Sequence, residues 1–111
     1  MNKTKEVYFY RDEKNKCYLA EWLSKIDCKT RARILNRILR LEYGAYGDHK
    51  NINGKIYELR FCFNKGYRVY FIEESNKIIV LLNAGDKDSQ SKDIKKAKQL
   101  LNEYLKNRKN K

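Results

Sequence analysis

The sequence contains no proline, five glycines and a single histidine. A proline-free chain with 41% hydrophobic and 13% aromatic residues is neither collagen-like nor disordered in composition, and it carries enough apolar side chain to fold. Cys17, Cys28 and Cys62 are an odd set without a CxxC pair, so neither a disulfide framework nor a zinc site is legible. The thiols are expected to be reduced and structural or incidental. A lone histidine in a polar stretch is more often a surface residue than a ligand or base, so catalysis should not depend on His49. No metal or other cofactor is implied. No segment approaches the roughly 20 apolar residues of a bilayer crossing. The opening stretch MNKTKEVYFYRDEK also lacks the run of about seven apolar residues that marks a signal peptide. The expectation is a soluble, cytoplasmic protein with no membrane association.

What the sequence does have is positive charge. Against 14 acidic residues stand 26 Lys and Arg, a formal net charge of +12 over 111 residues. That exceeds what solubility asks of a small domain and favours a polyanionic partner, with nucleic acid ahead of an anionic membrane surface. The length allows one domain, residues 1–111, with one modest core.

Val7 to Tyr10 are strand formers followed by a charged turn. Leu19, Trp22, Leu23 and Ile26 then recur at i, i+3, i+4 and i+7, which predicts an amphipathic helix, and Asp27 offers the N-cap of a second one. In that second helix Ile34, Leu35, Ile38 and Leu41 make the buried stripe, while Arg33, Arg37 and Arg40 form a row on another face. This row reads either as a solvated surface or as a contact for RNA or an acidic partner. The helix should stop near Tyr43, where Gly44 and Gly47 open a polar loop, YGAYGDHKNINGK.

The period then changes to 2. In YELRFCFNKGYRVYF, Tyr57, Leu59, Phe61 and Phe63 alternate with polar residues, and Tyr67, Val69 and Phe71 resume the alternation after Asn64, Lys65 and Gly66. This predicts a β-hairpin with a three-residue loop, in which Phe63 faces Tyr67, Phe61 faces Val69 and Leu59 faces Phe71 on the core side. The opposite face collects Glu58, Arg60, Arg68 and Tyr70, which reads as an anion-binding surface, since an apolar sheet face gains nothing from two arginines. Ile78 to Leu82 form an unbroken apolar run, as expected of a central strand covered on both faces. Ser89 or Ser91 can cap a last helix whose apolar side is Ile94, Ala97, Leu101, Tyr104 and Leu105. From Ser91 onward eight basic residues stand against two acidic ones, and the final KNRKNK is expected to fray. The order β-α-α-β-β-β-α gives an α+β domain, a small, mostly antiparallel sheet with helices packed on it.

Arg60, Arg68, Tyr70 and Lys87 fall on one sheet face or at the end of the neighbouring strand, with Glu58, Asp86 and Lys50 close to that edge in sequence. RNA cleavage without a metal needs a group to take the 2′-hydroxyl proton, cations for the charge building on phosphorus, and an acid for the 5′-oxygen. Cations can do most of this.

GKIYELRF, GYRVYF, IIVLLNAGDKDSQSKDIKKA and WLSKIDCKTRARILNRILRLEYGAYGDHK together resemble the Gp49-like, HigB-type addiction module killer branch of the RelE/ParE toxin superfamily, over nearly the whole chain. The resemblance implies a RelE-like domain acting as the toxin of a type II toxin-antitoxin pair. Such a toxin is a metal-independent endoribonuclease that cuts mRNA on the ribosome, and a small helix-turn-helix antitoxin neutralises it. It also implies that Arg60, in ELR, stabilises phosphate, that Arg68 and Lys87 assist, and that Lys50 lies in a loop that supplies lysines. Asp93 falls near a position where relatives use tyrosine or histidine, and neither occurs between Asp86 and Tyr104. The general acid or base therefore stays open between Glu58 and Tyr70. Lys92 and Lys95, with Asp86, complete the expected RNA contacts, although a lysine-rich outer side is common on a terminal helix. The blander reading of Arg60 and Arg68 is that they pair with Glu58 and Asp86 and hold strands together. Rival functions are a ParE-like gyrase poison on the same scaffold and a non-catalytic RNA-binding domain.

Overall fold

The apolar period runs from 3.6 to 2 and back, and the backbone follows it. In the computed structural model, which describes residues 2–109, strand β1 (Glu6–Phe9) leads into helices α1 (Tyr18–Ser24) and α2 (Cys28–Arg40). A 3-10 turn (Leu41–Tyr43) precedes strands β2 (His49–Asn53), β3 (Ile56–Arg60), β4 (Arg68–Glu74) and β5 (Ile78–Gly85), and helix α3 (Gln90–Lys109) ends the described chain. The strands form one sheet in the order β1-β5-β4-β3-β2, with β1 parallel to β5 and the other pairs antiparallel.

Both faces of β5 are covered, which is why its apolar run does not alternate. Ile79 and Leu81 pack with Leu19 and Leu23 of α1 and Ile34 and Ile38 of α2. Val80 and Leu82 pack on the other side with Ala97 and Leu100 of α3. The domain is therefore three layers, α1 and α2, then the sheet, then α3, and each large apolar side chain fully buried between them contributes about 1.5–3 kcal/mol. Local signals behave as expected at both ends of α2. Asp27 Oδ2 accepts the Thr30 N–H at 3.1 Å, and Gly44 takes the left-handed conformation, φ 76°, that ends the following turn.

Three expectations change. Residues 49–53, read as loop, form β2, so three antiparallel strands become four. The strand has no apolar alternation because it is an exposed edge, held by its ladder to β3, with only Ile52 half-buried. The β3–β4 register is Leu59 with Val69 and Arg60 with Arg68, two residues away from the expected pairing, and a longer connection carries Phe61 to Tyr67. A shift of two leaves every side chain on its expected face, so Leu59, Phe61, Val69 and Phe71 still enter the core. Finally, α3 continues through Lys109, so the expected fraying of KNRKNK does not begin at Lys106, and residues 110–111 lie outside the described residues.

The start of α3 rests directly on the end of β5. A Cβ at Gly85 would lie 1.7 Å from Asp93 Oδ2 and 2.6 Å from Ser89 Oγ. Gly85→Ala should therefore destabilise the domain by about 1–3 kcal/mol, the usual cost of overpacking, measured by thermal unfolding. Gly85→Ala combined with Asp93→Ala should recover part of the loss, since Ser89 Oγ still lies close to the added methyl. A double variant no more stable than Gly85→Ala would place the crowding elsewhere.

Candidate functional site

Two arginines face each other across the β3–β4 ladder. Arg60 and Arg68 are directly opposed, an arrangement of like charges that costs stability unless each has its own counter-charge. Arg60 has Asp48: Nη2 donates to Oδ1 at 2.9 Å and Nε to the same oxygen at 3.2 Å. Arg68 has Glu58, to whose Oε1 its Nη1 donates at 2.8 Å.

The two pairs differ in solvent exposure. The Arg60 and Asp48 side chains are 37% and 41% exposed, so their pair is open to exchange. Hydrogen bonding from Arg60 holds the Asp48 carboxyl below its ordinary value, and the same contact raises the guanidinium. Glu58 is fully buried. Besides Arg68 it accepts the Tyr70 hydroxyl at 3.1 Å and the Gln90 amide at 2.8 Å. Burial pushes the Tyr70 phenol far up, with Glu58 adding to the effect. The face read as an open anion-binding surface is thus half closed, because the first turn of α3 covers it. Tyr70 is buried with its proton directed at Glu58, whose oxygens are already engaged, so both act on Arg68 rather than on a ligand in solvent.

The remaining predicted residues are spread along this edge. Lys50 is exposed and paired with Glu58 in the β2–β3 ladder. Lys87 is exposed beyond β5; its N–H donates to Lys65 O at 3.2 Å, which ties it to the β3–β4 connection near Gly66. Asp86 is a turn former: its Oδ1 accepts from the N–H groups of Asp88 at 2.9 Å and Ser89 at 3.1 Å. It pairs with neither arginine. Lys92 and Lys95 line a cleft with Tyr18, Asp93, Lys96 and Gln99 that shares no residue with the one around Arg60. Asp48 and Gln90 are the members sequence reading missed. Asp48 sits before a strand that has no periodic signal, and nothing local to Gln90 reveals which way the first turn of α3 faces.

Among the described residues, no group of three or more His, Cys, Asp and Glu is placed to hold a metal ion, and no helix is long and apolar enough to cross a membrane. Cys17 is buried, Cys28 and Cys62 are exposed, and all three are free thiols.

Two outcomes follow from the buried network. Glu58→Ala should cost about 3–5 kcal/mol, because the partly buried Arg68 guanidinium loses its counter-charge; a loss under about 1 kcal/mol in urea unfolding would show that the network does not hold Arg68. Asp93 behaves oppositely to the paired carboxylates. Burial raises its carboxyl, Ser89 pulls the other way, and Asp86 adds to the rise. The folded state holds this proton more tightly than the unfolded state, so its contribution is full below about pH 4 and is lost as pH rises through the raised value. The stability of the wild type minus that of Asp93→Asn should therefore fall with rising pH, and a difference independent of pH would refute this.

The Phage derived protein Gp49-like family matches residues 21–103, a span holding Asp48, Glu58, Arg60, Arg68, Tyr70, Lys87 and Gln90. An uncharacterized protein of Haemophilus influenzae is 46% identical over 83 residues, which is 74% of this chain and 84% of that relative. With three quarters of its length matched, the chain belongs to the Phage derived protein Gp49-like family.

Proposed function

We propose that this chain is a RelE/HigB-like toxin of a type II toxin-antitoxin pair and that it cuts messenger RNA on the ribosome, in the cytoplasm. The observation that carries the reading is the opposed pair Arg60 and Arg68. A ladder gains no stability from two opposed positions of like charge, whereas a phosphate whose charge rises in the transition state gains from cations held at one end of the sheet, one exchangeable and one fixed. Membership of the Gp49-like family supports it.

In this mechanism Arg60 exchanges Asp48 for a phosphate oxygen, Arg68 is held in place by Glu58, Tyr70 and Gln90, and Lys87 and Lys50 add positive charge at the open edge. Glu58 and Tyr70 are committed to positioning, so the cluster is strong in charge stabilisation and poor in proton transfer. The ribosome then supplies what the toxin lacks, by holding the mRNA in a bent, reactive geometry. The partner expected for such a toxin is a helix-turn-helix antitoxin with acidic or apolar segments complementary to the basic surface.

The test compares naked mRNA, programmed ribosomes, and gyrase with supercoiled DNA. Cleavage is expected with ribosomes, much less with naked mRNA, and no change in supercoiling. Arg60→Ala and Lys87→Ala should slow cleavage by about 10²–10³-fold while leaving the unfolding midpoint nearly unchanged, as solvent-facing substitutions do. Arg68→Ala should impair both, since it strands Glu58. Gyrase inhibition without RNA cleavage would replace this reading with the ParE-like one. RNA binding without either activity would leave a non-catalytic RNA-binding domain.

A further inference from the structure

The arginine row of α2 does not face open solvent alone. Arg33, Arg37 and Arg40 line, together with Arg60, Phe61 and Phe63, a groove of about 420 Å³ between α2 and the β3–β4 connection. Its only carboxylate is Asp48. Four guanidinium groups around one acid repel one another, and residues four apart on a helix that share a charge destabilise it.

Aromatic rings hold two of these arginines, Arg33 and Arg37, without neutralising them. The Arg33 guanidinium stacks 3.6 Å above the centre of the Phe63 ring, and that of Arg37 lies 4.6 Å from the centre of Phe61. Arg37 is fixed further, donating through Nη1 to Arg60 O and through Nη2 to Tyr46 O at 2.9 Å and Asp48 O at 3.1 Å. It forms the floor of the groove. Arg33 and Arg40 are exposed, and among the described residues neither pairs with a carboxylate. Stacking on a ring immobilises a guanidinium and leaves its charge and its N–H fork for another acceptor.

Shape and composition identify that acceptor. From Arg33 to Arg40 the row rises about 10 Å along the helix axis, which is long for one phosphate group and suited to several in series. A protein partner would be expected to anchor on apolar side chains at the centre of the contact. Here the exposed large hydrophobics are Tyr8, Phe9, Leu39 and Tyr43, none of which lines the groove; Phe61 is only 3% exposed, and the half-buried Phe63 ring is covered by the Arg33 guanidinium. The groove is electrostatic, and at one end it shares Arg60 with the candidate site.

We propose that the groove between α2 and the β3–β4 connection binds the sugar-phosphate backbone of an RNA strand leading to Arg60, with Arg33 and Arg40 as the phosphate contacts and Arg37 as their support. Only the location of a cut at Arg60 rests on the nuclease reading.

The test uses a fluorescein-labelled single-stranded 2′-O-methyl oligoribonucleotide, which cannot be cleaved through its 2′-oxygen, and follows anisotropy from low to high KCl. Arg33→Gln combined with Arg40→Gln should flatten the slope of log affinity against log salt by about 1.4, at about 0.7 per phosphate contact on a single strand, which is roughly a 25-fold loss at 0.1 M salt. Lys77→Gln combined with Lys106→Gln removes the same charge outside the groove and should change the slope far less. Equal effects of the two double variants, or no measurable binding by the wild type, would overturn the proposal. So would loss of a labelled poly-glutamate peptide with RNA binding retained, which would make the groove a site for an acidic protein. Binding through the groove without cleavage on ribosomes would leave this inference standing and remove the nuclease reading. Cleavage with an unchanged salt slope would do the reverse.

Discussion

Two arginines on one rung of an antiparallel ladder are the constraint around which this end of the molecule is built. Arg60 and Arg68 occupy directly opposed backbone positions, and each is given a carboxylate of its own. Asp48 comes from the loop just before β2 and Glu58 from the middle of β3. Glu58 lies under α3, and a buried carboxylate needs hydrogen bonds for its remaining oxygens. Tyr70 and Gln90 supply them. The first turn of α3 must therefore dock here, and it can do so because Gly85 leaves room for Asp93 and Ser89 against the strand. Edge strand, ion pairs and helix position are linked by one electrostatic requirement.

The same requirement divides labour between the arginines. An exposed pair such as Arg60 with Asp48 is screened by solvent and adds little to stability, so an incoming anion displaces the carboxylate at small cost. The Arg68 pair, with its acid fully buried, cannot be opened so cheaply. One cation is available and the other is a fixed reference beside it. Toward α2, Arg37 bonds the carbonyls of Arg60, Tyr46 and Asp48, so the loop that delivers Asp48 and the end of β3 that carries Arg60 are tied to one helix.

Most of the fold was legible from residue periods. The stripe of Ile34 and Ile38, the cap at Asp27 and the unbroken run of β5 each have one economical reading, and each is realised. The hairpin shows how far such reading reaches. Its register differs by two residues from the one that alternation predicts, yet every side chain keeps its expected face, because the side-chain period of a strand is 2 and an even slip preserves it. β2 was invisible because HKNIN has no apolar alternation; its pairing comes from main-chain groups of β3, which any sequence can supply.

The candidate site divides along the same line. That Glu58, Arg60, Arg68 and Tyr70 share a face is a matter of local alternation, and so is the row of Arg33, Arg37 and Arg40. Which of them meet solvent is not. Glu58 and Tyr70 are covered by a helix that begins only at Gln90, Arg60 finds Asp48 in the loop before a strand with no signal of its own, and the arginine row meets Arg60 only where α2 packs beside the β3–β4 connection. Composition and period act over a few residues and settle charge, element type and face. Burial and partner choice depend on how separate elements pack, which no short window of sequence contains.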